Sequence, residues 1–305
     1  MFPAGRRVVA EVRNSKAETR KKAEVRRGEW QIRKRRGILL SRTRPNWPSR
    51  VPHPISRFTF HVSRFTLHAS SLHASLPCHF CYVIAMGTKY IRLNKRLYNY
   101  LCRCRTDAAD PLLQELRTET AALGDEISKC QISDDQGTFL SVLVAAAGVK
   151  SAIEVGTFTG YSSLCIARAL PSDGRLICVD ASAEWTAMAR KYWTKAGVQD
   201  RIELRLGPAI PTLQQLEPGL SFDFAFIDAA KTEYDAYYEL LLPRVRQNGL
   251  ILFDNMLAGG RLGGAVLTDD YGRAVDALNH KLANDARVEV ALLSVADGIQ
   301  FCRKR

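Results

Sequence analysis

The stretch Glu154-Val-Gly-Thr-Phe-Thr-Gly-Tyr-Ser162 decides the fold, because it joins an apolar run to a helical pattern. The apolar run at residues 151–155 predicts a buried strand, and residues 162–169 predict a helix. A glycine-bearing turn between a strand and a helix brings backbone N–H groups close to a ligand. The spacing E-x-G-x-x-x-G differs from the G-x-G-x-x-G of dinucleotide dehydrogenases. An acid at the strand end suits a positively charged ligand, which favours S-adenosylmethionine over a pyrophosphate.

Strand and helix patterns alternate along the chain on both sides of this stretch. Strands are predicted at 151–155, 175–179, 201–206, 222–228, 250–254, 288–294 and 298–302. Helices are predicted at 94–104, 111–127, 134–147, 162–169, 183–196, 211–216, 234–242 and 271–283. Apolar strands separated by single helices imply a parallel sheet covered on both faces, and the short connection before residue 298 implies an antiparallel edge hairpin. The sequence therefore predicts an α/β fold: a Rossmann-like, doubly wound, mostly parallel sheet of seven strands.

The formal net charge of +13 is divided unevenly along the 305 residues. Residues 1–85 hold 18 Lys/Arg against 4 Asp/Glu, whereas residues 86–305 are close to neutral. Five of the six histidines also lie in the first segment, and His280 alone lies in the second. If the chemistry belongs to the second segment, its general base is expected to be a residue other than histidine.

Residues 1–85 read as a basic, low-complexity extension. The run Ser56-Arg-Phe-Thr-Phe-His-Val62 is echoed at once by Ser63-Arg-Phe-Thr-Leu-His-Ala69, a period that matches no solenoid. Such a composition cannot bury a core, so we expect a disordered tail or an upstream region that is not natively translated, with Met86 as the start. An organelle transit peptide and a nucleic-acid-binding arm remain open alternatives. A zinc site at Cys78-His-Phe-Cys81 lacks a second ligand pair.

Acidic and amide side chains end several of the predicted strands, at the sheet edge where ligands bind in this fold class. Asp180 ends the second strand, where it is placed to accept from the hydroxyls of a ribose; alternatively it caps the following helix. Asp228, Asp254 and Asn255 end the fourth and fifth strands and offer hard oxygen ligands suited to Mg²⁺. Their alternative role is that of ordinary loop-starting Asx residues.

Lys231 follows Asp228 by three residues, in Asp-Ala-Ala-Lys. A lysine beside a bound cation could deprotonate a substrate hydroxyl, because nearby positive charge and burial both lower a lysine pKa. The alternative is a solvated lysine at the start of a helix.

Several separate motifs together resemble the cation-dependent class I O-methyltransferases, the family of caffeoyl-CoA O-methyltransferase, which is related to catechol O-methyltransferase. Besides the run that opens at Glu154, the motifs are Ser133-Asp-Asp-Gln-Gly137, Lys191-Tyr-Trp-Thr-Lys-Ala-Gly197, Leu206-Gly-Pro-Ala209, Phe226-Ile-Asp-Ala-Ala-Lys231, Phe253-Asp-Asn255 and Ala296-Asp-Gly298. The resemblance covers residues 86–305 and does not extend to residues 1–85.

The resemblance implies a methyl-donor half and a metal half of one site. S-adenosylmethionine would contact Ile132, Glu154, Gly156, Thr157, Ser162, Asp180, Ala209 and Asp228. A divalent cation, Mg²⁺ or a similar ion, would be held by Asp228, Asp254 and Asn255, and Lys231 and Asp228 would act in catalysis. The implied reaction is an in-line displacement in which a catechol-type or phenolic hydroxyl takes the methyl group.

Two positions depart from the family pattern. The family reads Asp-Ala-Asp-Lys where this chain has Ala230 before Lys231, and an aromatic residue commonly follows the Asp-Asn motif where this chain has Met256-Leu-Ala258. The second departure predicts an acceptor pocket of different shape.

The expected partners are a small hydroxylated aromatic acceptor and a second copy of the chain in a homodimer, with no membrane. A nucleic-acid methyltransferase, or a nucleic-acid-binding protein that uses the basic arm, is the alternative. It is disfavoured because base methylation usually needs an Asn/Asp-Pro-Pro-Tyr/Phe motif where this chain has Asp-Ala-Ala-Lys. Cys165 and Cys178 lie in apolar runs and are expected to be reduced core residues, which is consistent with a cytoplasmic protein.

Overall fold

The structure is a computed structural model that describes residues 91–264 and 266–305. The predictions for residues 1–85, including the one for the Cys78/Cys81 pair, concern residues outside the described ranges. The strands are β1 (Ser151–Val155), β2 (Arg175–Asp180), β3 (Ile202–Leu206), β4 (Phe222–Ile227), β5 (Val245–Phe253), β6 (Val288–Leu293) and β7 (Ile299–Lys304). The helices are α1 (Lys95–Arg103), α2 (Pro111–Ala121), α3 (Asp125–Ser128), α4 (Asp134–Ala146), α5 (Tyr161–Ala169), α6 (Ala183–Lys195), α7 (Ala209–Gln214), α8 (Tyr234–Leu241) and α9 (Asp270–Asn284).

The seven strands form one sheet in the order β3-β2-β1-β4-β5-β7-β6. The first five strands are parallel, and β7 runs antiparallel to both β5 and β6. The predicted doubly wound sheet with an antiparallel edge hairpin is therefore confirmed. The strand order reverses at β1, which pairs with β2 on one side and β4 on the other, and ligands bind at this point in open α/β sheets.

Alternate residues of each strand pack into two apolar layers, one on each face of the sheet. Ala152 of β1 belongs to the layer beneath helices α2, α4, α5 and α6, whereas Ile153 and Val155 belong to the layer beneath α7, α8 and α9. Glu154 alternates with these two residues, so its side chain shares the face of Ala152. The predicted core residues Cys165 and Cys178 are buried and free.

Side-chain caps fix where the main helices begin. The carboxylate of Asp110 accepts from the N–H groups of Leu112 and Leu113, and Pro111 occupies the first helical position of α2. The hydroxyl of Ser182 accepts from the N–H of Trp185 at the start of α6. These caps place the first turn of α6 directly beyond the end of β2.

Two elements differ most from the sequence prediction. The single helix expected at 111–127 is two helices, because the chain turns at Gly124 with a φ of +106°. Helix α4 begins at Asp134, as predicted, whereas β5 begins at Val245, five residues early. The exposed polar residues 246–248 follow Val245, so the start of β5 carries no apolar run.

None of the helices in the described ranges is long and apolar enough to cross a membrane.

Candidate active site

A cleft of about 830 Å³ opens at the carboxyl ends of β1, β2, β4 and β5, and its volume is in the range of small-molecule sites. All but one of the residues predicted to bind the cofactor, bind the metal or take part in catalysis line this cleft. They are Ile132, Gly156, Thr157, Ser162, Asp180, Ala209, Asp228, Lys231, Asp254 and Asn255. The exception is Glu154, whose side chain is fully buried in the face of the sheet next to the cleft.

Two glycines let the backbone of the loop after β1 approach its neighbours. Gly156 has a φ of +93°, and a Cβ there would lie 2.4 Å from the carbonyl oxygen of Asp228. Gly160 has a φ of +88° and precedes α5, and a Cβ there would lie 2.6 Å from the Cβ of Ala189. Any other residue at either position would push the loop away from β4 or α6, so the glycines set the floor of the cleft.

Asp180 ties this loop to the end of β2. Its Oδ2 accepts from the backbone N–H groups of Thr157 (2.9 Å) and Phe158 (2.8 Å), and its Oδ1 accepts from that of Ser182 (2.7 Å). A carboxylate offers about four acceptor positions, so one remains for a ligand hydroxyl. The helix cap is Ser182 and not Asp180, so the alternative role considered for Asp180 belongs to its neighbour.

Glu154 has no solvent-exposed surface, and its Oε1 has no hydrogen-bond partner within the described chain. Its Oε2 accepts only a long contact from the Cys178 thiol, at 3.5 Å. Burial raises the pKa of Glu154 from its ordinary 4.5 to about 7. Buried carboxyl groups with an unpaired oxygen are rare in protein cores. A cationic ligand in the adjacent cleft would stabilise the charged form of Glu154.

Asp228 and Asp254 follow the ends of the adjacent strands β4 and β5, and Asn255 comes next. The Asp254 side chain is 3% exposed, and the Asn255 backbone lies in the left-handed region with a φ of +58°. Burial raises the pKa of both carboxyls, and the charge of Asp228 raises that of Asp254 further. Asp254 Oδ1 also accepts from the Asn255 N–H at 2.7 Å, as expected of an Asx residue, and its second oxygen is free of that bond.

This donor set fits a hard divalent cation. Asp254 is buried and the Asp228 side chain is 12% exposed, so the two like charges destabilise each other, and the Lys231 ammonium contacts Asp228. Oxygen donors from two carboxylates and one amide suit Mg²⁺ better than zinc. No group of three or more His, Cys, Asp or Glu side chains is gathered as a metal cluster in the described ranges; this trio contains two such side chains and an asparagine.

Lys231 begins a short 3₁₀ turn, Lys231–Glu233, and its side chain turns inward. Its Nζ donates to Asp228 Oδ1 at 2.6 Å and lies 5.3 Å from the ring centre of Tyr234. The side chain is 20% exposed, so it is not the solvated helix-start lysine considered as the alternative. The ammonium group is thus held at the edge of the carboxylate pair.

A second wall of the cleft was not predicted in detail from the sequence. Ser133 and Gln136 line it from the start of α4, and the Ser133 hydroxyl and the Gln136 amide nitrogen are buried without hydrogen-bond partners in the described structure. Phe158 and Trp185 line the opposite side and pack edge to face, with ring centres 5.0 Å apart. Buried polar groups left unpaired are costly, so their concentration around one cleft indicates a ligand site.

Comparison with known proteins supports this interpretation. The model of the O-methyltransferase family matches residues 104–305. Caffeoyl-CoA O-methyltransferase 2 of Zea mays is 39% identical over 233 residues, which cover 72% of this chain and 86% of the relative. Caffeoyl-CoA O-methyltransferase of Eucalyptus gunnii is 38% identical over 232 residues, which cover 72% of this chain and 91% of the relative.

Solved structures agree. The O-methyltransferase from Bacillus cereus, in complex with SAH, is 30% identical and superimposes with a TM-score of 0.63 over 68% of this chain and 96% of that chain. Fold and cleft together define an S-adenosylmethionine-dependent methyltransferase. The chain belongs to the O-methyltransferase family, and its enzymatic class is that of the S-adenosylmethionine-dependent O-methyltransferases.

Proposed function

We propose that this protein methylates one hydroxyl of a small catechol-like or phenolic acceptor, with the help of a divalent cation held by Asp228, Asp254 and Asn255. The observation that carries the proposal is the largely buried carboxylate pair of Asp228 and Asp254, which shares one cleft with the glycine loop after β1. The relatives named above are caffeoyl-CoA O-methyltransferases, and the caffeoyl group is a catechol.

The methyl donor is expected on the β1–β2 side of the cleft. Asp180 accepts from two backbone N–H groups of the loop and from that of Ser182, and it has an acceptor position left for a ribose hydroxyl. Thr157 and Ser162 offer hydroxyls beside it, and Glu154 supplies negative charge beneath it. An anionic side chain below a sulfonium or ammonium group stabilises the bound donor relative to water.

The acceptor is expected on the β4–β5 side. A bound divalent cation supplies charge that lowers the pKa of the acceptor hydroxyl. Lys231, whose Nζ lies 2.6 Å from Asp228 Oδ1, would take the hydroxyl proton as a neutral amine and pass it from the resulting ammonium to water. The acceptor oxygen then forms a bond to the methyl carbon as the carbon–sulfur bond breaks, and the sulfur keeps the bonding electron pair as the neutral thioether of SAH.

The test is methyl transfer from S-adenosylmethionine to a panel of catechols, with EDTA and with Mg²⁺ restored. We expect EDTA to abolish transfer and Mg²⁺ to restore it. Asp254→Asn, which preserves size, should lower kcat by about 100-fold or more while SAH affinity changes little. Asp180→Asn is the reciprocal variant and should weaken SAH binding instead.

Full activity in EDTA would contradict the metal-dependent mechanism. Undiminished kcat in Asp254→Asn would contradict the assignment of this carboxylate.

A further inference from the structure

The charged side chains that line the cleft are mostly acidic. Five carboxylates and two lysines line it: Asp180, Asp228, Glu233, Asp254, Asp297, Lys129 and Lys231. Asp180, Asp228 and Asp254 already have roles in the proposed donor and metal sites. Glu233, Asp297 and Lys129 have no role in those two sites. They are the charged side chains available to contact the part of the acceptor beyond its reacting ring.

Both lysines are already paired with carboxylates. Lys231 Nζ lies 2.6 Å from Asp228, and Lys129 Nζ lies 2.6 Å from Glu126, with the Lys129 side chain 67% exposed at the rim. Arg261 contacts the cleft residue Tyr271, with its guanidinium 5.1 Å from the ring centre, but it pairs with Asp269. Among the described residues that line the cleft, no cation is left without an acidic partner.

The two remaining carboxylates have neutral partners. The Tyr237 hydroxyl donates to Glu233, and the Gly259 backbone N–H donates to both oxygens of Asp297, at 2.8 and 2.9 Å. Neither contact cancels a charge.

Tyr271 connects the wall that holds these carboxylates to the reaction centre. Its hydroxyl donates to the carbonyl oxygen of Asn255 at 3.4 Å, and the ring lines the cleft. An acceptor whose ring reaches Asp254 and Asn255 would therefore pass between carboxylates that repel anions. Like charges brought together in a site reject a ligand even where its shape fits.

We infer that the acceptor carries no anionic group: it is a neutral catechol or one that bears an ammonium group, and a coenzyme A thioester is a poor substrate. This inference rests on the proposed function and narrows its acceptor. The phosphates of a coenzyme A thioester would need free cations, and the described lining of the cleft offers none.

The experiment uses the full chain with Mg²⁺ and S-adenosylmethionine and four acceptors that share a dihydroxyphenyl ring: 3,4-dihydroxyphenethylamine, catechol, caffeate and caffeoyl-CoA. We expect kcat/KM for the amine and for catechol to exceed that for caffeoyl-CoA by at least about tenfold. A preference for caffeoyl-CoA over both would overturn the inference.

Two isosteric variants connect the preference to the wall. Glu233→Gln and Asp297→Asn each remove one charge, and each should reduce the ratio of kcat/KM for the amine to that for caffeate by about three- to tenfold. Asp173→Asn is the matched control, because Asp173 is an exposed carboxylate before β2, at the opposite end of the sheet, and pairs with Lys150. It should leave the ratio unchanged.

An unchanged ratio in both cleft variants would overturn the inference. If Asp297→Asn disturbs the turn at Gly259, as a lowered Tm would show, Glu233→Gln still provides the test. Absence of transfer to all four acceptors, or transfer that survives EDTA, would contradict the proposed function. EDTA-sensitive transfer with caffeoyl-CoA preferred would contradict this inference alone.

Discussion

At the scale of single residues, the motif predicted the position of Glu154 in the chain but not the burial of its side chain. The sequence predicted an acid at the end of β1, but it did not predict that the side chain would be completely buried. Successive side chains of a strand point to opposite faces, and which face is covered depends on helices that come from distant parts of the chain. The structure places Glu154 on the face beneath α4 and α5, where burial raises its pKa to about 7.

The raised pKa predicts how the stability of the cofactor-free protein depends on pH. Below pH 4.5 the carboxyl is protonated in both the folded and the unfolded state, and it carries no penalty. Between pH 4.5 and 7 the unfolded chain loses this proton while the folded protein keeps it, so stability falls as pH rises. The loss from this group is on the order of 3 kcal/mol and is complete above about pH 7.

Glu154→Gln should flatten this dependence, because an amide does not titrate. Urea denaturation of both proteins from pH 4.5 to 8 measures the difference in slope. Glu184→Gln, which removes an exposed carboxylate from the first turn of α6, is the control and should follow the wild type. Equal slopes for wild type and Glu154→Gln would contradict the prediction.

At the scale of secondary-structure elements, helix α2 contacts two segments that line the donor half of the cleft: the loop after β1 and the segment before α4. The Thr120 hydroxyl donates to that of Thr159 in the glycine loop, at 2.9 Å, and the Gln131 amide donates to both hydroxyls, at 2.9 and 3.1 Å. Arg117 of the same helix donates to the carbonyl oxygen of Ile132, at 2.8 Å. Thr120 and Thr159 are both buried, so this network couples α2 to the loop after β1.

Thr120→Val preserves the shape of the side chain and removes its hydroxyl. We expect SAH to bind about three- to tenfold more weakly, because the loop loses one buried hydrogen bond that fixes its position. Thr120→Ser should restore the affinity. Thr118→Val is the matched control on the same helix, since the exposed Thr118 hydroxyl donates only to the Gln114 carbonyl oxygen. Calorimetric titration with SAH measures all four proteins, and equal weakening in both valine variants would contradict the role of the network.

The elements themselves were largely predictable from the sequence, whereas their contacts were not. Strand β1 was predicted to the residue, because its apolar run is short and ends at a glycine. The start of β5 was missed because Arg246, Gln247 and Asn248 interrupt the apolar pattern. The Thr120–Thr159 contact joins positions 39 residues apart, and no local pattern reports such a pair.

At the scale of the whole molecule, the predicted sheet and the family are confirmed, and the predicted site residues surround one cleft. Their roles, the divalent cation and the cytoplasmic location stay predictions. The homodimer also stays a prediction, which light scattering of the purified protein would test. The sequence analysis named the run 133–137 as a family motif but did not assign Ser133 and Gln136 to the cleft, because a helix start does not show which side chains turn inward.

The charge division along the chain leads to the last prediction, that residues 86–305 form the complete methyltransferase domain. The O-methyltransferase family model matches residues 104–305, and the net positive charge belongs to residues 1–85. A protein that begins at Met86 should keep its Tm within about 2 °C, its SAH affinity and its methyl transfer to catechols. It should lose any binding to double-stranded DNA at low salt, because that binding would depend on the basic segment. Loss of folding on truncation, or methyl transfer from the full chain to nucleic acid, would contradict this division of the molecule.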